Sequence, residues 1–337
     1  MSGRTRSAGA GDQRGMTVVE LMIAVVILGI VVAAAFSVSY SIMNNYREHR
    51  LAMGVERSAR GAMAVLADAV RNASPGVPNG QIVDLVGCET WRGIQVEDAS
   101  DGPDALNLVY SRGGQVTSLR VAFTETSSEM TVENASRLSA GDQILVTDFA
   151  FGHLMTIETI TQAGLDWNLT LEGGTPQAMC PAPPEPFTYP VRAAVLRVRK
   201  ARFSVDATGL WPVLMVDRDG AGGPLEEEPA AEGVEDLQIA IGVDRDGDGV
   251  IEEDGTSGND DDWVGNHADD TALPDIAITP YRAIRLTVIG RSVGENTAVN
   301  TSRRPAAENR LEAAAPDVFR RRSLSTIVEL RNLQGSP

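Results

Sequence analysis

The chain has 337 residues, 43% hydrophobic and 22% charged. That is enough apolar matter for a core, so wholesale disorder is excluded and one or two domains are expected. Lys and Arg number 29 against 46 Asp and Glu, a net of −17, which argues against nucleic-acid binding by bulk charge. The charge is local. Residues 217–275 hold 20 acids against Arg218 and Arg245, a net of −18, so the rest of the chain is close to neutral. The 3 histidines, His49, His153 and His267, are far apart, which disfavours a histidine-rich catalytic or metal centre.

Residues 1–15 are small, polar and mildly basic, with Arg4, Arg6 and Arg14 against Asp12. Met16 to Phe36 then form an apolar run with one charge, Glu20. As a helix this run rises about 31 Å, close to the hydrocarbon thickness of a bilayer. The arginines before it predict a cytoplasmic N-terminus and put the remainder, including Cys88 and Cys180, in an oxidising compartment. Glu20 needs a partner, because an ionised carboxylate is costly in hydrocarbon. If the chain is cut after Gly15, Met16 gains an α-ammonium one helical turn away. The same group on an axially shifted neighbour is also within reach, and such a contact sets register in low dielectric.

Gly15-Met16-Thr17, followed by Glu20 and a long apolar run, resembles the peptidase site of the type IV prepilin family. That family includes minor pilins and the pseudopilins of type II secretion. The resemblance implies cleavage between Gly15 and Met16 and N-methylation of Met16 by the same membrane enzyme. Two features depart from the pattern: Met16 stands where Phe is commoner, and the apolar helix has no proline. A secretory signal cut near Ala33-Ala34-Ala35, or a plain signal anchor, are the bland alternatives. Glu20 inside the apolar run and the 15-residue leader count against both.

Past the apolar run, Val55, Ala59, Ala62, Met63, Leu66 and Val70 recur at helical steps, with Arg57, Arg60, Asp68 and Arg71 on the other face. Asn72-Ala73-Ser74-Pro75-Gly76 is a strong stop. One helix over 16–72 is therefore expected, membrane-spanning over 16–36 and amphipathic in its second half, about 85 Å long. Gly29 is a place for it to bend. The competing reading, a span and then a separate core helix, requires a break near Ser37–Asn45.

From about Gln81 strands dominate and form a head over 73–337. Ala105–Tyr110 and Gln115–Phe123 flank Ser111-Arg112-Gly113-Gly114, which predicts a hairpin. Asp142–Asp148, His153–Thr161 and Leu165–Leu171 read as short strands. A Pro-rich connection over 176–190 follows. Ala194–Arg199, Ala201–Asp206, Leu237–Val243 and Ile284–Val288 alternate as strands, and Leu324–Leu333 closes the chain as one more. The stretch Gly141–Asp148 with His153–Ile157, and the ending after Arg320–Arg322, resemble the PilW group of minor pilins. The fold class expected is α+β, a long N-terminal helix packed on a mostly antiparallel β-sheet head, like a type IV pilin.

Within the acidic segment, Asp244-Arg245-Asp246-Gly247-Asp248-Gly249-Val250-Ile251-Glu252-Glu253-Asp254 alternates carboxylates before a glycine. This wraps oxygen donors around a hard cation. Asp244, Asp246, Asp248, Glu252, Asp254 and the Val250 carbonyl are the candidate ligands, with Ile251 as an inward apolar pin and calcium as the metal. Gly255 at the twelfth position departs from an EF-hand loop, and a solvated acidic loop is the alternative. Cys88 and Cys180 either pair across the head or lie too far apart, and spacing leaves both open. No nucleophile elbow, phosphate loop or zincin motif is present, and no enzymatic activity is expected.

These features imply a minor pilin processed by prepilin peptidase. It would be held in inner-membrane lipid with its head in the periplasm, and would assemble with other minor and major pilins into a type IV pilus at the cell surface. Priming of assembly and an adhesive role at the tip are the expected functions, with no nucleic-acid partner. A type II secretion pseudopilin, or an anchored calcium-binding adhesin that never polymerises, are the alternatives.

Overall fold

The computed structural model describes residues 16–73, 82–85, 88–99, 101–149, 151–180, 187–218, 227–244, 248–253, 262–267, 281–295 and 302–330. The leader expected over 1–15, with Gly15, lies outside the described residues, as do Asp246 and Asp254. The chain divides into two compact units after Arg50.

Helix α1 spans Val18–Ala73 without a break at Ser37–Asn45. In the unit that begins at Leu51, its inward face is the expected stripe: Ala59, Ala62, Leu66 and Val70 are fully buried and Val55 nearly so, while Met63 is half-buried. Arg57, Arg60, Asp68 and Arg71 face solvent. Every core residue of the described chain lies at Val55 or beyond, so this unit holds the whole hydrophobic interior.

The strands follow as β1 (Ile82–Asp84), β2 (Glu89–Trp91), β3 (Ile94–Glu97), β4 (Ala105–Ser118), β5 (Phe123–Thr124), β6 (Glu129–Val132), β7 (Gln143–Thr147), β8 (Gly152–Ala163) and β9 (Asp166–Leu171). A short helix α2 (Pro176–Met179) comes next. It precedes β10 (Thr188–Tyr189), β11 (Ala194–Asp206), β12 (Val213–Asp217), β13 (Glu228–Glu232), β14 (Val234–Gly242), β15 (Trp263–Val264), β16 (Ala283–Arg291) and β17 (Arg321–Glu329). Long β11 organises an 11-stranded sheet: β4 pairs along one edge, and β7 and then β12 share the other. All its pairings are antiparallel except β1 with β8. A separate antiparallel sheet of four strands has the order β15-β14-β16-β17. The architecture is α+β, an apolar N-terminal helix whose second half packs on mostly antiparallel sheets.

Two strand expectations are corrected. No hairpin forms at Ser111–Gly114, because β4 continues through it: Ser111 faces Val198 and Gln115 faces Leu196. The two extra residues of β4 are taken up as a bulge, which glycines accommodate as readily as a turn. Likewise the strands expected over 194–199 and 201–206 are one strand, β11.

The largest core lies under α1. Its Leu66 and Val70 meet Leu106 and Leu108 of β4, Phe203 of β11, Ile239 of β14 and Leu286 of β16 in one cluster, so the helix joins both sheets. The close approach is made at Gly290 of β16. A Cβ there would stand 3.0 Å from the Val55 carbonyl oxygen and 3.2 Å from Ala59 Cβ, contacts that only glycine avoids. A second core fills the space between β5–β9 and β10, around Phe123, Met130, Phe187 and Tyr189.

Candidate functional site

Helix α1 opens on a reciprocal capping box. Thr17, just outside the helix, donates its backbone N–H to Glu20 Oε2 at 3.0 Å and its hydroxyl to the same oxygen at 3.1 Å. Its hydroxyl oxygen in turn accepts the Glu20 N–H at 3.3 Å, and its carbonyl accepts Leu21 N–H at 3.1 Å. Thr-x-x-Glu at a helix start satisfies two otherwise orphaned donors at once. The apolar run gave no reason to single out Thr17, yet this spacing was readable beside it. Met16 lies directly before the box and is exposed.

From Met16 to Met43 the large apolar side chains are between 42% and 74% exposed, all round the helix. A helix of this length and composition can cross a bilayer, and none of its most apolar window is buried in the protein. This surface has to be covered by lipid or by other helices, which suits a membrane anchor.

The acidic loop is described in part. Asp244 is held by Arg282 at 3.3 Å, with its side chain 2% exposed, and also accepts the Gly249 N–H at 3.1 Å. Asp248 accepts the Val250 N–H at 2.7 Å. Gly249 has φ +87°, and Ile251 packs beside Trp263, Ala240 and Ala283, turning the loop back onto β14. Glu252 donates its N–H to Asp262 at 3.1 Å. Among the described residues no three acidic, histidine or cysteine side chains converge as a cation site, so the described part of the loop does not build one alone. A calcium ion here would compete with Arg282 for Asp244.

Cys88 and Cys180 are joined as a disulfide, with Cα atoms 5.3 Å apart across 92 residues of chain. It ties the β1–β2 turn to the end of α2, and Cys180 is buried in the second core. In that core His153 Nδ1 lies 2.6 Å from the Tyr189 hydroxyl and its ring stacks on Phe187 at 3.8 Å. Burial presses the His153 imidazole down to about 4 and pushes the Tyr189 phenol above its ordinary value. The pair therefore stays neutral at physiological pH and acts as a packing contact.

A further set of buried charges was not visible in the sequence. Asp104 accepts backbone N–H groups from Ala99 at 2.9 Å and Ile239 at 2.8 Å, bridging the β3–β4 loop to β14. Burial pushes its carboxyl up to about 7, with Asp98 and Asp236 adding and the two N–H donors opposing. The unfolded chain releases this proton near the ordinary value of 3.8, well before the folded one does. Stability should therefore fall as pH rises from about 4 to about 7 and level off above, by an amount on the order of 4 kcal/mol. Urea unfolding across this range should show the slope reduced in Asp104→Asn. An unchanged slope would mean that another group titrates.

Two family models match the chain. The prokaryotic N-terminal methylation motif covers residues 11–36, and the type IV pilus-assembly protein W model covers residues 202–332. The chain thus carries a prepilin-type methylation motif at its start and a region similar to PilW in its last two fifths. The first match spans the capping box and the apolar helix. The second takes in the end of β11 and all of β12 to β17, and with them the four-stranded sheet under α1. The intervening PilW-like stretch read at 141–157, the disulfide and the second core lie outside both matches. Among curated proteins none matches. A type IV-like pilin from Thermus thermophilus is similar to this chain as a solved structure, at 15% identity, covering 84% of this chain and 97% of that one, with a TM-score of 0.35.

Proposed function

We propose that this chain is a minor pilin of the PilW type in a Gram-negative envelope. Prepilin peptidase cuts it between Gly15 and Met16 and N-methylates Met16. Its helix then holds it in the inner membrane with the head in the periplasm, until it joins other minor and major pilins. There it primes a type IV pilus and presents its head at the tip for adhesion. One observation carries the reading: the methylation-motif match, the helix start at Val18 and the exposed apolar surface coincide within residues 11–36. The Met16 ammonium, own or neighbouring, is the partner proposed for Glu20 once the leader is gone. Intact mass and N-terminal sequencing of protein from membranes and sheared filaments test this. The expected start is N-methyl-Met16, and Glu20→Ala should remain in membranes but drop out of filaments. Protein that keeps residues 1–15, or is trimmed near Ala35, ends the proposal.

Calcium at the 244–254 loop belongs to the same proposal and rests on the spacing of Asp244, Asp246, Asp248, Val250, Glu252 and Asp254. The positive-φ Gly249 and the pinned Ile251 support a turn of the required kind. Calorimetry of the head should register heat with millimolar calcium that Asp246→Ala abolishes. A silent titration of the unsubstituted head removes the metal from the account.

A further inference from the structure

The prepilin reading, on which this inference rests, accounts for Glu20 only after proteolysis. While residues 1–15 are attached, the nitrogen of Met16 is an amide, and no ammonium exists to meet the carboxylate. The chain must nevertheless enter the membrane and present its cleavage site in that state. An acid near the end of a spanning segment is tolerated only with its oxygens engaged.

The engagement is supplied by Thr17. Its backbone N–H and its hydroxyl both reach Glu20 Oε2, at 3.0 and 3.1 Å, and its hydroxyl oxygen receives the Glu20 N–H. Two consequences follow from this geometry. The carboxylate is folded back toward the chain start rather than extended into lipid. The box also makes Thr17 the N-cap, so the helix begins at Val18 and Met16 stays outside it. A peptide bond in a helix is closed to a protease, and Met16, whose nitrogen belongs to the scissile bond, is not helical.

We propose that Thr17 is a positioning residue of the precursor. Acting through Glu20, it satisfies the carboxylate before cleavage and holds Met16, the residue after the scissile bond, outside the helix. All three contacts use Oε2 or the Glu20 amide, so Oε1 remains unengaged by Thr17. The new Met16 ammonium then arises next to Thr17, four residues before a carboxylate already fixed at the helix start, and its ordering cost is reduced by that preorganisation.

The test uses the full chain in membranes with prepilin peptidase. Intact mass distinguishes precursor, cleaved chain and cleaved chain methylated at Met16. Thr17→Val keeps the β-branched shape and the backbone N–H but loses both hydroxyl contacts. It should accumulate precursor several-fold over the unsubstituted chain, and Thr17→Ser should restore processing. On a Glu20→Ala background, Thr17→Val should add nothing, because the group it acts through is gone. The inference is overturned if Thr17→Val is processed like the unsubstituted chain, if Thr17→Ser is as poor as valine, or if the valine defect persists without Glu20. Retention of residues 1–15 by the unsubstituted chain would instead bring down the prepilin reading, and this inference with it.

Discussion

Asp236→Ala is expected to destabilise the head by about 3–5 kcal/mol, because it strands two guanidinium groups away from water. Asp236 is fully buried on β14. Arg310 lies 2.7 Å and Arg304 3.0 Å from its carboxylate, and Gln238 donates to it at 3.0 Å. Both arginines come from the segment after residue 302, which lacks strands of its own until β17. The carboxylate therefore anchors that segment to the four-stranded sheet. Arg304 keeps carbonyl partners at Pro305 and Leu311, which should hold the loss toward the lower end of the range. The control is the exposed pair Arg303–Glu312, 3.9 Å apart with both side chains at least half exposed. Arg303→Ala should cost under about 1 kcal/mol. Urea unfolding of a head beginning at Leu51 reads both. A loss within about 1 kcal/mol for Asp236→Ala would show that the arginines find equivalent partners and that the anchor lies elsewhere.

That contrast separates what could be read from the residues from what could not. Helix α1 was legible because its second half repeats apolar residues at three and four steps, and that stripe is the face buried on both sheets. Strands β14 and β16 were legible because Leu237, Ile239 and Ile241, and Ile284, Leu286 and Val288, recur at every second position; the closing strand, expected at Leu324–Leu333, runs over Arg321–Glu329. Strands β1, β5, β10 and β15 are two or three residues long and carry no period of their own; their partners stabilise them. The glycine pair in β4 signalled a turn, but long flanking segments on β11 held the ladder and converted it to a bulge. At the processing end the carboxylate was found from its oddity in an apolar run. Its local partner, Thr17, carries no such mark, because a threonine at the edge of an apolar run is ordinary until the capping geometry is seen. The Asp236 cluster joins residues some 68 positions apart, and no local pattern marks such a pairing.

Loss of the Cys88–Cys180 bridge is expected to lower the stability of the head by about 2–4 kcal/mol. The bridge closes 92 residues of chain, and closing so long a loop removes much of the unfolded chain's freedom. The enclosed segment, from β2 through α2, lies within the stretch between residues 36 and 202 that neither family model covers. Its β5–β9 part packs in the second core, around Phe123 with Phe187 and Tyr189 from beyond the bridge, so the bridge fastens that part to the β1–β2 turn. Cys88→Ala is the cleaner variant, since Cys88 is exposed, whereas Cys180 is buried and its loss would also leave a small void. Urea unfolding of oxidised, reduced and Cys88→Ala heads should place the last two together, below the first. Equal midpoints for all three would show that the segment is held by its core alone. Thiol alkylation before and after reduction, applied to the full chain in membranes, uses the same bond to report sidedness. A head outside the cytoplasm keeps both cysteines blocked until reductant is added, and a head in the reducing cytoplasm leaves Cys88 open to reagent from the start.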